Sequence, residues 1–76
     1  MVSAFILVVV DSGMERKIAE KLEGLAGVDE VDVIYGDYDL IAKIQVPDIS
    51  KLGDFIINNI RSVKGVRRTS TLIAVD

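Results

Sequence analysis

The segment Gly36-Asp37-Tyr38-Asp39 holds the residue types and spacing best suited to recognition chemistry. Glycine leaves backbone N–H groups accessible, and the carboxylates beside it are fixed acceptors, a combination that suits the carboxylate and ammonium of a zwitterion. The same residues also make an ordinary hairpin turn, because glycine accepts positive φ and aspartate bonds its own backbone. Thr69 and Thr71 stand two apart, so on a strand they share a face. There their hydroxyls can bond a ligand at a subunit boundary, or simply pack, since threonine is a strong strand former. Lys64, Arg67 and Arg68 make a basic cluster that can meet an acidic surface or a carboxylate, or protect a strand edge. Tyr35 and Tyr38 flank the turn and can stack on a ligand or pair across strands.

The residues that are missing matter as much. The chain has no cysteine and no histidine. Disulfides, thiolate nucleophiles, most zinc sites and the usual proton shuttle at neutral pH go with them. No nucleophile and base pair is evident, so neither catalysis nor a cofactor is expected. Nine Lys/Arg against twelve Asp/Glu give a net charge of −3, which repels a phosphate backbone and argues against direct nucleic-acid binding. The longest apolar run, Ala4 to Val10, falls far short of the roughly 20 residues of a membrane-crossing helix. No basic stretch follows Met1 to start a secretory signal, and a cytoplasmic location is the expectation.

At 76 residues the chain is expected to form one domain, 1–76, with a small core. Such folds usually need a supplement. With half of the residues hydrophobic and no cysteine, subunit contact is the supplement that remains.

The elements that must position the turn follow from periodicity. Ala4 to Val10 is aliphatic without alternation, which predicts a central strand covered on both faces. Asp11, Ser12 and Gly13 break it and offer N-cap side chains. Met14, Ile18, Leu22 and Leu25 then recur at helical spacing, with Glu15, Arg16, Lys17, Glu20 and Lys21 on a solvated face. Gly27 reads as the residue closing that helix. From Val28 the period is two, with Val31, Val33 and Tyr35 on one side and Asp32 and Ile34 on the other. After the Gly36-Asp37 turn, Tyr38 to Val46 resumes the extended pattern as the second arm of a hairpin. Pro47 and Asp48 stop that strand and start a second helix, with Ile49, Leu52, Ile56, Ile60 and Val63 apolar and Gly65 at its end. Val66 to Val75 reads as a last strand.

The order is βαββαβ, and its halves echo each other, Gly27-Val28 against Gly65-Val66. The expected fold class is α+β and ferredoxin-like, of the dimeric α+β barrel type. Right-handed crossovers would put both helices on one face of a four-stranded antiparallel sheet, with the first and last long strands adjacent in the middle. The other face stays bare and carries further apolar residues, Ile34, Ile41 and Leu72 among the candidates. A dimer packed sheet to sheet or edge to edge is the expectation.

The strand AFILVVV, the helix ending LAGV, the segment YGDYDLIAKI, the second helix ending KGV and the strand RTSTLIAV together resemble the C-terminal effector domain of the Lrp/AsnC (feast/famine) transcription regulators, also called the RAM domain. The resemblance spans nearly the whole chain. It implies homodimers that assemble into an octamer or similar ring, with an amino acid or related small metabolite bound between subunits near the turn. By position, Gly36, Tyr38 and Asp39 would lie on the ligand-side loop and Thr69 and Thr71 on the facing strand. Those regulators carry a helix-turn-helix domain before this module, and nothing precedes Met1 here. A stand-alone form is therefore expected, one that binds a ligand or co-assembles with full-length regulators without reading an operator itself. Two other readings stay open: a metabolite-independent module that hetero-oligomerises with such regulators, and an ACT-like amino-acid-binding domain. Other families of this element order are disfavoured by absences. Paired cysteines for a metal, exposed aromatics for RNA and an arginine in the Asp-Ser-Gly-Met loop for an acylphosphatase are all missing.

Overall fold

A computed structural model describes residues 1–75. The elements are β1 (Val2–Val10), α1 (Glu15–Glu23), β2 (Val28–Val33), β3 (Leu40–Val46), α2 (Ser50–Phe55), which continues as a π-helical turn (Ile56–Ile60), and β4 (Val66–Ile73). This is the ferredoxin-like βαββαβ order, with one antiparallel sheet in the order β2-β3-β1-β4. The central pair is β1 and β3, and β4 lies at an edge, whereas the sequence predicts the first and last strands adjacent in the middle. Each crossover returns its strand two positions away: α1 carries the chain over β3 to β2, and α2 carries it over β1 to β4.

Register sorts the side chains. Ile6 stands opposite Ala42 on one side and Thr71 on the other, and Val8 stands between Leu40 and Thr69. Directly opposed residues share a face, so Ala4, Ile6, Val8 and Val10 look toward the helices with Leu40, Ala42 and Ile44. All of these are buried, and Ile18, Leu22, Leu52, Ile56 and Ile60 close over them from α1, α2 and the π-helical turn. The opposite face carries Phe5, Leu7 and Val9 along β1, Ile41 on β3 and Leu72 on β4. The first four are half-buried and Leu72 is 51% exposed. Ala4 to Val10 is thus covered on one face only, against the expectation of two.

Several boundaries shift for local reasons. Met14, not Asp11 or Ser12, is the N-cap residue of α1, and no side chain caps that end. The helix stops at Glu23, before Gly27. β2 ends at Val33, which leaves Tyr35 fully exposed and removes Ile34 from the sheet. β3 starts at Leu40 rather than Tyr38, and β4 ends at Ile73 rather than Val75. Asp48 Oδ1 accepts the Ser50 N–H at 3.0 Å before α2, while Ile49 is 60% exposed instead of joining the core. Arg61 N–H reaches the Ile56 carbonyl at 2.8 Å, the i→i+5 bond of the π-helical turn.

The echo between the halves is physical. Gly27 and Gly65 both have positive φ, 94° and 101°. The Gly27 carbonyl accepts Gln45 N–H at 2.9 Å, and the Gly65 carbonyl accepts Asp11 N–H at 2.8 Å. Each glycine thereby ties the start of an edge strand to the end of a central one. A Cβ on Gly65 would stand 2.9 Å from Met14 Sδ and 3.0 Å from Ile18 Cδ1, whereas one on Gly53, inside α2, would meet nothing within 4 Å. The two alanine substitutions should therefore act in opposite directions. Gly65→Ala costs about 2 kcal/mol through left-handed strain and crowding, and Gly53→Ala gains about 0.5–1 kcal/mol of helix propensity. Thermal unfolding reads both, at roughly 4–8 °C per kcal/mol for a domain this small.

Candidate functional site

Residues 34–39 connect β2 to β3, and the Ile34 N–H closes the loop onto the Asp39 carbonyl at 2.9 Å. Gly36 sits at its tip with φ 125°, and a Cβ there would meet nothing within 4 Å. Asp39 lies at the base, half-buried. Its N–H donates to the Val8 carbonyl at 2.9 Å, and its Oδ2 accepts the Val10 N–H at 2.9 Å. The β1–β3 ladder ends at the pair Val8 and Leu40, so the amide of buried Val10 lies beyond the last β3 partner, and the Asp39 carboxylate satisfies it. One oxygen is thus pinned. The other accepts no hydrogen bond among the described residues.

Tyr38 is half-buried, and the Arg68 guanidinium lies over its ring, 5.5 Å from the centroid. Arg68 stands opposite Val9, on the sheet face away from the helices. The basic cluster of the sequence is dispersed by this geometry. Arg67 occupies the register shift between Val9 and Val10, and Lys64 borders a separate hollow with Lys17 and Lys21 on α1. Thr69 and Thr71 stand opposite Val8 and Ile6, on the helix side of edge strand β4, the first half-buried and the second exposed. Asp39 meets β1 from the β3 side. Within one subunit, β1 therefore separates the loop residues Gly36, Tyr38 and Asp39 from the two threonines.

Sequence reasoning passed over the residues that complete the loop's other wall. A cleft of about 420 Å³ opens between the start of α1 and the loop, with Glu15 and Arg16 on one side and Val33, Ile34, Tyr35 and Asp39 on the other. By helical spacing Glu15 and Arg16 belong to a solvated face. Their one legible signal was position: they open the helix directly after the Asp-Ser-Gly break. No group of acidic residues among the described residues is arranged to hold a metal ion. Nor is any described helix long and apolar enough to cross a membrane.

The fold and the loop define a class: a ferredoxin-like domain with an apolar open sheet face and a polar cleft at one end of the sheet. The Lrp/AsnC ligand binding domain matches residues 3–76, and the chain belongs to that family. It is 35% identical to an uncharacterised HTH-type transcriptional regulator of Pyrococcus abyssi over 97% of its own length and 51% of that protein's. Among solved structures, FFRP-DM1 shares 44% identity with a TM-score of 0.93, covering 99% of this chain and all of that one. Escherichia coli AsnC shares 29% identity with a TM-score of 0.92, covering 99% of this chain and 51% of AsnC. The chain thus spans about half the length of the curated regulators it matches. A homocitrate synthase of Saccharolobus islandicus matches 97% of this chain at 39% identity, but over only 16% of the enzyme.

Proposed function

We propose that this chain is an amino-acid-binding regulatory domain that oligomerises and modulates transcription without contacting DNA itself. The observation that carries the ligand reading is Asp39, half-buried, clamped by the Val10 amide and bordering a cleft of about 420 Å³. That volume lies within the roughly 300–1,000 Å³ of small-molecule sites. A carboxylate held this way is preorganised to receive an ammonium group. Gly36 and Tyr38 flank it in the same loop. Thr69 and Thr71 lie on edge strand β4, so the proposed site would bring them to the loop of a neighbouring subunit rather than to the loop of their own.

Oligomerisation is supported by the open face, whose centre is Phe5, Leu7, Val9, Ile41 and Leu72. Glu30, Asp32, Lys43 and Arg68 stand around them on the same face. An apolar centre with a charged rim is the anatomy of a protein interface. Homodimers formed there would pair into a ring of higher order, and the ligand acts by favouring one assembly over another. Full-length regulators of the family are the natural hetero-partners, sharing the same fold and the same face. The net charge of −3 opposes contact with DNA by this domain alone.

Calorimetric titration of the purified chain with each of the twenty amino acids tests the proposal. Saturable heat from one or a few of them, with a change in sedimentation, is the expected result. Silence across the panel from a folded protein would favour the second reading, a module that only hetero-oligomerises through the open face.

A further inference from the structure

We propose that a hollow on the helix side of the domain, between α1 and the chain that follows the π-helical turn, is a separate anion site that takes the phosphate or diphosphate group of a small molecule. Lys17, Lys21 and Lys64 hold the anion over a floor of Met14, Ile18 and Val63. None of the loop residues 34–39 borders it, and it is complete within one subunit.

Charge carries the assignment. In a chain of net charge −3, three of the nine Lys/Arg side chains border one hollow of about 200 Å³, and no carboxylate lines it. The lysines are exposed, Met14 and Val63 are half-buried and Ile18 is buried, so charge rims an apolar floor. Lys17 runs against the local physics of its helix. It stands in the first turn of α1, where the positive end of the helix dipole disfavours a cation, and four residues before Lys21, where like charges on one helix face repel. Lys21 alone has a structural reason for its place, the last turn of α1. An anion among the three lysines relieves both penalties on Lys17. Residues that break a local rule without compensation inside the chain are the ones expected at binding sites.

The residue type selects the ligand. Lysine meets phosphate as a compact point charge, and three of them suit a group with more than one negative charge, whereas a lone carboxylate is matched by the fork of an arginine. A volume below the roughly 300–1,000 Å³ of drug-sized sites limits the enclosed part to the anionic group. Both helices cover the core side of the sheet, so packing through the opposite face leaves the hollow open.

The test is thermal unfolding and calorimetry of the full chain, in a phosphate-free buffer of fixed low ionic strength, with sodium diphosphate, sodium phosphate, ADP and adenosine. Diphosphate and ADP should bind saturably and raise the melting temperature, phosphate should bind more weakly, and adenosine should not bind. Tighter binding of diphosphate points to an inorganic source and tighter binding of ADP to an organic one; either order supports the site. Lys17→Gln should melt no lower than wild type without the anion and should weaken diphosphate at least threefold. Combining it with Lys64→Gln should weaken diphosphate at least tenfold. Lys51→Gln, on α2 outside the hollow, controls for net charge and should bind within twofold of wild type. If the double variant, folded by circular dichroism, binds diphosphate within twofold of wild type, or if neither diphosphate nor ADP binds wild type, the site is overturned. If Lys17→Gln melts below wild type without the anion, the lysine serves the fold and the site is likewise overturned. Binding of a glutamate-rich peptide in place of any phosphate would overturn the ligand class.

Discussion

Asp39→Ala should abolish the response to ligand and at the same time destabilise the fold, because one carboxylate serves both. Removing it leaves the amide of Val10, a buried residue, without its acceptor. An orphaned amide of that kind costs about 1–3 kcal/mol. Against the roughly 3–5 kcal/mol that a core this small supplies, that is a large fraction of the total. The alanine variant alone therefore cannot separate recognition from folding. Asp39→Asn can: its amide oxygen still accepts from Val10, so most of the stability should remain, while the negative charge that faces an ammonium is gone. A hydrogen bond to a charged group contributes about 1.5–3 kcal/mol, so affinity for the amino acid should fall about 10- to 150-fold in a variant that melts within a few degrees of wild type. Urea denaturation and calorimetry on the two variants measure both quantities. Unchanged affinity in folded Asp39→Asn would remove Asp39 from the site.

A comparably large effect is expected from Leu7→Glu. Leu7 lies mid-strand on the open face, between Ile41 and Ser70, and points away from the buried core. Leu7 is not part of the buried core, so a glutamate there leaves the packing beneath the helices in place and the chain should still fold. In a two-fold dimer packed through this face the substitution occurs twice, and two carboxylates would be buried near one another without partners. Burying an uncompensated charge costs about 3–5 kcal/mol, which weakens dimerisation by more than a hundredfold. Sedimentation at micromolar concentration should show an assembly for wild type and a monomer for the variant. The monomer should also melt earlier, since the interface supplements a small core. An unchanged assembly would place the contact elsewhere, with the exposed edge strands β2 and β4 as the alternative surfaces.

How much of this was legible in the residues depends on the range over which each signal acts. Periodicity and turn chemistry are local, so Ile18 and Leu22, the glycines 27 and 65 and the threonine strand located the elements in order. The ends were harder. Asp11 and Ser12 have the chemistry of N-caps, yet no side chain caps α1, whose N-cap position falls to Met14. Ile49 fits the helical spacing and still lies in solvent, because it precedes the first turn of α2 and lies outside the helix proper.

Sequence by itself determined the element order, the ferredoxin-like class, the family and the loop Gly36 to Asp39, because each is written in residues near one another along the chain. Tertiary structure decided which strands are central, since strand order depends on how far, and to which side, each crossover carries the chain across the sheet and not on the composition of any strand. It also decided the partners of the loop. Arg68 is drawn from its basic neighbours to the Tyr38 ring, and Asp39 is clamped by Val10, 29 positions away. Glu15 and Arg16, which read as solvated helix charges, border the cleft beside Asp39. Contacts between residues so far apart in the chain leave no periodic trace in it. They arise only when the sheet register brings the end of β1, the start of α1 and the base of the loop to one place.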